Sequence, residues 1–187
     1  MTSKEERKQD LLDLLKKRAI SFGEFTLASG ASSPYYIDAK LATLIPKGFE
    51  LAGEVMADAL ENVSFDAVGG LESGAIAIAC SVARVMPVTI FFVRKNKKQH
   101  GTERWIEGPL QKDQRVVIVE DVVTTGASVI KAIKRVQEFG AQVVKVLVLV
   151  DRLQGAKENI TRECGSDFTY QAIYNISDLG VASDSPV

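Results

Sequence analysis

The segment Glu120-Asp121-Val122-Val123-Thr124-Thr125-Gly126-Ala127-Ser128 gathers groups able to do chemistry. Two adjacent carboxylates close the hydrophobic run Val116–Val119, and a turn with three hydroxyls and one glycine opens a helical stretch. Such a turn can aim several backbone N–H groups and hydroxyls at one anion, and the helix dipole adds to the attraction. The carboxylates just upstream are acceptors suited to a pair of sugar hydroxyls. The segment therefore fits a 5-phosphorylated ribose, with the phosphate in the turn and the diol on the acids. A Thr or Ser helix cap would explain one hydroxyl, but not the acid pair and the other hydroxyls. A Walker loop is excluded, because Gly-Lys-Ser/Thr is missing at the required spacing.

Three further segments carry candidate chemistry. Arg94-Lys95-Asn96-Lys97-Lys98-Gln99-His100-Gly101 follows the run Val88–Val93, with Arg104, Trp105, Gly108 and Pro109 beyond it. This long connection has no clear apolar period, as lids and binding loops often do not. Its cations suit a multiply charged leaving group such as pyrophosphate; the plainer alternatives are a solvated basic loop or a nucleic-acid patch. Gly69-Gly70-Leu71-Glu72-Ser73-Gly74 is a glycine-rich strand-to-helix turn whose glycines would allow close approach to a phosphate. Asp151-Arg152 follows the run Val143–Val150; the arginine either grips a ligand carboxylate bidentately or pairs with Asp151 or another nearby acid.

The elements that must position these residues are legible as patterns. Helices are expected over 4–19, 47–62, 74–85, 127–139 and 153–163. An irregular hairpin-like layer is expected over 21–40, where Gly23, Gly30 and Pro34 interrupt the short pieces Glu24–Leu27 and Tyr35–Asp38. Continuous apolar runs at Ala67–Val68, Val88–Val93, Val116–Val119, Val143–Val150 and Phe168–Ile173 read as strands buried on both faces. Strands alternating with helices imply right-handed crossovers and a parallel sheet, with ligands beyond the carboxyl ends of the strands. Each candidate segment falls at such an end.

Composition bounds the rest. The 187 residues (20.3 kDa) suit one domain, and neither a repeat nor a linker divides them. Apolar residues at 46% and charged residues at 25% exclude a disordered or low-complexity chain. With 23 basic against 24 acidic side chains, general nucleic-acid binding is not expected. No apolar run reaches the roughly 18 residues of a membrane span, and residues 1–10 lack the core of a signal peptide. Two cysteines, Cys80 and Cys164, are too few for a disulfide framework, so a reducing cytoplasm is expected.

The run Val117–Ser128 resembles the phosphoribosyl-diphosphate (PRPP) motif of type I phosphoribosyltransferases. The basic loop is similar to the catalytic loop of orotate phosphoribosyltransferases at Arg94, Lys95, Lys98, His100 and Gly101. Phe25–Gly30 with Ser33–Tyr36 resembles that family's hood, Asp151-Arg152 its Asp-Arg pair, and Gly69–Gly74 its pyrophosphate loop. The resemblance implies an α/β type I fold: a mostly parallel sheet of about five strands flanked by helices, with a hood over about 1–45 and a core over about 46–175. It implies PRPP binding by Glu72, Ser73, Arg94, Lys95, Lys98, His100 and Glu120 through Ser128. It implies orotate contacts from Tyr36, Ile37, Thr124 and Arg152, and catalytic roles for Arg94, Lys95, Lys98, His100 and Asp121. Transfer of phosphoribosyl from PRPP to orotate would follow, giving orotidine 5′-monophosphate and pyrophosphate in pyrimidine (UMP) biosynthesis. Mg²⁺ would be the cofactor, held mainly by substrate and water. A homodimer would share its sites, with Arg94, Lys98 and His100 acting on the neighbouring subunit and Lys95 on its own.

Two positions depart from that pattern. Many members have Lys where Ala28 stands, and many have Tyr-Lys where Glu72-Ser73 stands. Glu72 is then a candidate for the metal's water shell and Lys40 a candidate substitute cation. A purine or uracil phosphoribosyltransferase with the same PRPP site, or a PRPP-binding regulator, are the competing readings.

Overall fold

In a computed structural model, the described residues are 2–26, 32–96 and 104–181. Helix α1 (Lys4–Arg18) starts with a capping box: the Ser3 hydroxyl accepts the Glu6 N–H and the Glu6 carboxylate accepts the Ser3 N–H. Its last turn holds Lys16, Lys17 and Arg18, which suit the negative end of the helix dipole. The chain then forms the antiparallel hairpin β1 (Ile20–Thr26) and β2 (Ser32–Ile37), the expected hood layer. Along β2 exposure alternates, so Ser33, Tyr35 and Ile37 face inward while Tyr36 faces out. The short α2 (Lys40–Thr43) joins the hairpin to α3 (Pro46–Asp58), where Pro46 sits at the helix start and needs no N–H partner.

The core alternates as expected: β3 (Ala67–Leu71), α4 (Gly74–Val85), β4 (Thr89–Val93), β5 (Ile106–Glu107), β6 (Arg115–Val123), α5 (Ala127–Phe139), β7 (Gln142–Asp151), α6 (Ala156–Cys164) and β8 (Thr169–Asn175). The sheet order is β5-β4-β3-β6-β7-β8, parallel except for β5. The sixth strand falls inside the connection expected to lack structure. Ile106 pairs with Val93 and Glu107 with Phe92, a two-residue strand too short to register as a period in the sequence. Strand β6 runs on through Val123, so both acids lie within it. Gly69 and Gly70 also lie within a strand. A Cβ on Gly69 would stand 2.1 Å from the Phe91 carbonyl oxygen, and one on Gly70 would stand 2.3 Å from that of Val119. Packing of the sheet therefore requires glycine at both positions.

Alternate residues of β6 and β7 feed two cores. Val117, Val119, Leu147 and Leu149 pack with Leu11, Leu15, Met56 and Ile78 on one side. Val116, Ile118, Val146 and Val148 pack with Val129, Ile133, Val136 and Ile160 on the other. Burial of both faces is why these strands read as unbroken apolar runs. At about 1.5–3 kcal/mol for each fully buried large apolar side chain, these layers hold the strand ends in fixed register.

Candidate active site

From β3 the chain winds outward to β4, and from β6 it winds the other way to β7, so the sheet reverses direction between β3 and β6. Ligands of open α/β sheets bind at such a reversal, beyond the carboxyl ends of the strands. Glu72-Ser73, Arg94-Lys95, Thr124–Ser128 and Arg152 all follow the carboxyl ends of these four strands. The fold therefore gathers the predicted segments on one edge.

The acids are buried: Glu120 is 5% exposed and Asp121 7%. Desolvation, and then the charge of Asp121, hold the Glu120 carboxyl well above the usual carboxylate range. A protonated Glu120 can donate as well as accept. Asp121 Oδ1 accepts the Val122 N–H at 2.8 Å, and a Cβ on Gly74 would stand 2.2 Å from the same oxygen. Only glycine lets the start of α4 lie this close to Asp121. On the other side, Lys40 Nζ lies 3.7 Å from Asp121 Oδ2 and 2.7 Å from Asp38 Oδ1. Burial alone would lower the Lys40 pKa, but Asp38 and Asp121 together raise it.

The turn after β6 leaves donors unspent, an arrangement that can receive an anion. Gly126 occupies the cap position with φ +86°, a left-handed conformation that favours glycine, and no side chain caps α5. The Thr124, Thr125 and Ser128 hydroxyls are thus not spent on the cap, and the first N–H groups of a helix have no partner within it. Thr124 is half-buried, while Thr125 and Ser128 are exposed. Helix α6 braces the turn: Asn159 Nδ2 donates to the Thr125 carbonyl at 3.0 Å, and Ile160 lies where a Gly126 Cβ would go.

Arg152 is buried, with its guanidinium 4.7 Å from the Tyr35 ring centroid. Asp151 is engaged elsewhere: it accepts Tyr170 Oη–H at 2.6 Å and the Leu153 N–H at 2.8 Å. Burial, and then the hydrogen bond to Asp151, raise the Tyr170 pKa, so the phenol stays a donor. Arg152 thus packs on Tyr35 of the hairpin, a residue the sequence reading placed in the hood without giving it a contact of its own. Tyr36 is 46% exposed and lies near Phe25, their ring centroids 5.6 Å apart; the Ile37 side chain is buried in the core.

The root of the basic loop is tied down on both sides. The Lys95 N–H donates to Glu72 Oε1 at 2.8 Å, and Lys131 of α5 donates to the Lys95 carbonyl. The Arg94 N–H donates to the Trp105 carbonyl at 2.9 Å, and its guanidinium lies 3.2 Å from Glu107 Oε1. Arg135 of α5 stacks on the Trp105 ring at 3.8 Å. The Glu72 carboxylate thus holds the loop backbone. Lys98, His100 and Gly101, and the hood positions Leu27–Ala31, lie outside the described residues. Lys131, Glu107, Arg135 and Asn159 had no signal in the sequence, because each acts across a distance in the chain that only the fold closes.

Among the described residues, no group of three His, Cys, Asp or Glu side chains is arranged to hold a metal ion. The Glu120–Asp121 pair offers hard oxygen donors. Such a sparse set suits Mg²⁺, which keeps several waters and takes the remainder of its shell from substrate phosphates.

Residues 43–183 match the model of the phosphoribosyl transferase domain. Fold and site together thus define a phosphoribosyltransferase of the α/β type. The chain is 47% identical to the orotate phosphoribosyltransferase of Methanocaldococcus jannaschii over 159 residues, 84% of this chain and 90% of that protein. It is 40% identical to that of Pyrococcus horikoshii over 184 residues, 95% and 97% of the two chains. Crystal structures of the Mycobacterium tuberculosis enzyme superpose well. The Fe(III) dicitrate complex gives a TM-score of 0.83 at 36% identity, and the PRPP complex 0.80 at 33%, each covering 94% of this chain and 99% of that one. This chain belongs to the orotate phosphoribosyltransferase family.

Proposed function

We propose that the protein transfers the 5-phosphoribosyl group from PRPP to orotate. The C1–O bond to pyrophosphate breaks and its electron pair leaves with pyrophosphate. Orotate N1 bonds to C1 and gives up its proton, forming orotidine 5′-monophosphate for UMP synthesis. The observation that carries this is the acid pair Glu120–Asp121 running directly into the hydroxyl turn Thr124–Ser128 at the reversal of the sheet. Arg152 stacked on Tyr35 in the adjoining crevice supports a planar carboxylate as the second substrate.

In this reading, Asp121 and Glu120 hold the ribose hydroxyls, and residues 122–128 hold the 5-phosphate. Glu72 and Ser73 border the pyrophosphate. Arg152 binds the orotate carboxylate, with Thr124, Tyr36 and the backbone of Ile37, whose side chain is in the core, beside the ring. Lys95, Lys98, Arg94 and His100 neutralise the leaving group. No protein nucleophile is required, because the work is positioning and preorganised charge. Mg²⁺, held mainly by substrate and water, would supply charge neutralisation of the leaving group. Arg94, Lys98 and His100 act on the neighbouring subunit of a homodimer; the exposed apolar side chains Phe22, Leu41 and Leu44 support an apolar contact. Two free cysteines support a reducing compartment such as the cytoplasm, and no described helix is long and apolar enough to cross a membrane.

The deciding experiment offers orotate, uracil, adenine and hypoxanthine separately, with PRPP and Mg²⁺, and follows nucleotide formation by chromatography. Turnover of orotate alone is expected. Turnover of another base with orotate inert would overturn the assignment, and PRPP binding without turnover of any base would favour a regulator.

A further inference from the structure

Lys40 stands outside the strand ends that carry the ribose acids, at the junction of the hood hairpin and the core. Its position is fixed from its own side of the crevice. Its backbone N–H donates to Asp38 Oδ1 at 3.1 Å, and its ammonium lies 2.7 Å from the same oxygen. The side chain is therefore folded back toward the core, although 37% of it remains exposed. From this perch Nζ is 3.7 Å from Asp121 Oδ2, an ion-pair distance but too long for a hydrogen bond. The hood tyrosine Tyr36 is within its electrostatic reach.

Asp121 is consequently bracketed. Oδ1 lies against Gly74 at the start of α4, and Oδ2 faces Lys40. The turn leading into α4, Glu72-Ser73-Gly74, carries no basic residue, and Glu72 Oε1 accepts the Lys95 N–H. A diphosphate on C1 of a ribose whose diol rests on Asp121 emerges beside this turn. A group of such charge density needs cations, and the turn provides none. An ammonium has three N–H donors, and a single contact with Asp38 leaves donors for ligand oxygens.

We propose that Lys40 is a diphosphate-binding residue of this enzyme, lent by the hood–core junction to the side of Asp121 where the turn 72–74 lacks positive charge. It forms no bond in the reaction; it holds oxygen charge on the donor before and while the C1–O bond breaks. This role rests on the PRPP reading given above.

Titration calorimetry of wild type, Lys40→Ala and Lys40→Arg with Mg²⁺-diphosphate and, separately, with ribose 5-phosphate tests it, with thermal melts of each protein alongside. Loss of the ammonium is expected to weaken diphosphate about tenfold or more and ribose 5-phosphate by less than about twofold, as removal of one charge-assisted contact predicts. Lys40→Arg should recover most of the diphosphate affinity. Unchanged diphosphate affinity in Lys40→Ala overturns the role, and so does equal weakening of both ligands, which would mark a structural part. If Lys40→Ala does not fold, Lys40→Gln serves in its place with the same criteria. A wild-type protein that binds neither ribose 5-phosphate nor diphosphate overturns the underlying activity and this role together. Wild-type binding that is indifferent to residue 40 overturns the role alone.

Discussion

Glu120 and Asp121 are adjacent carboxylates in the same strand with different surroundings. Glu120 is buried and leans toward its neutral form, while Asp121 faces an ammonium, a backbone N–H and the start of a helix. Their difference has a measurable consequence for stability. A carboxyl whose folded pKa is raised favours the fold at low pH; that contribution is lost as pH climbs from the ordinary carboxylate range through the raised folded value. Glu120→Gln keeps the shape and removes the titration. We expect the variant to melt at or above the wild-type temperature at pH 8, by roughly 2–4 °C for each kcal/mol relieved, with the difference shrinking toward pH 4. Melting curves across that range check it, and a variant less stable at pH 8 than at pH 4 relative to wild type would contradict it. The acid pair and hydroxyls were readable from the sequence because they are contiguous. Tyr35 was not distinguishable from Tyr36, since period-two alternation shows which residues share a face but not which face meets Arg152.

At the scale of elements, β6 and β7 were legible because strands buried on both faces leave unbroken apolar runs, whereas only Ala67–Val68 of β3 could be read before its two glycines. Helix positions were close for a different reason: Ala127–Phe139 carries its apolar residues on one face at helical spacing, with Val129, Ala132, Ile133 and Val136 buried. β5 escaped notice because its two residues gain their identity from pairing with β4 rather than from any pattern of their own. The same antiparallel pairing changes how the basic loop must be viewed, since its return limb from Trp105 is fastened to the sheet edge. Its outgoing limb is fastened by Glu72, whose carboxylate receives the Lys95 N–H. For Glu72→Ala we expect kcat to fall about tenfold or more with PRPP KM changed by less than about threefold, as for a residue that positions others rather than binding substrate. Steady-state kinetics with PRPP varied at saturating orotate measure the split. A rise in KM at unchanged kcat would instead make Glu72 part of the binding surface.

At the scale of the whole molecule, a near-neutral chain places one cluster of cations in the connection after β4 and a pair of adjacent buried acids on β6. Action of the loop on a neighbouring subunit would join them across a two-fold axis. Mixing Lys98→Ala subunits with Asp121→Asn subunits tests this. About a quarter of wild-type activity should return after random exchange, because half the dimers are hybrids and each hybrid has one intact site. Mixtures shown by mass to contain hybrids but with no activity above the parents would place the loop in its own subunit's site. The sequence alone gave no view of this scale beyond resemblance, because quaternary contacts leave no periodic trace. One helix gives the subunit a mechanical character of its own. The amino end of α5 follows the turn Thr124–Gly126, while its side chains Lys131 and Arg135, four residues apart, contact Lys95 and Trp105 at the two feet of the basic loop. Were a phosphate held at that turn, its capture and the order of the loop would be coupled through this helix. Whatever free energy phosphate capture lends to loop order, loop order must return as tighter phosphate capture.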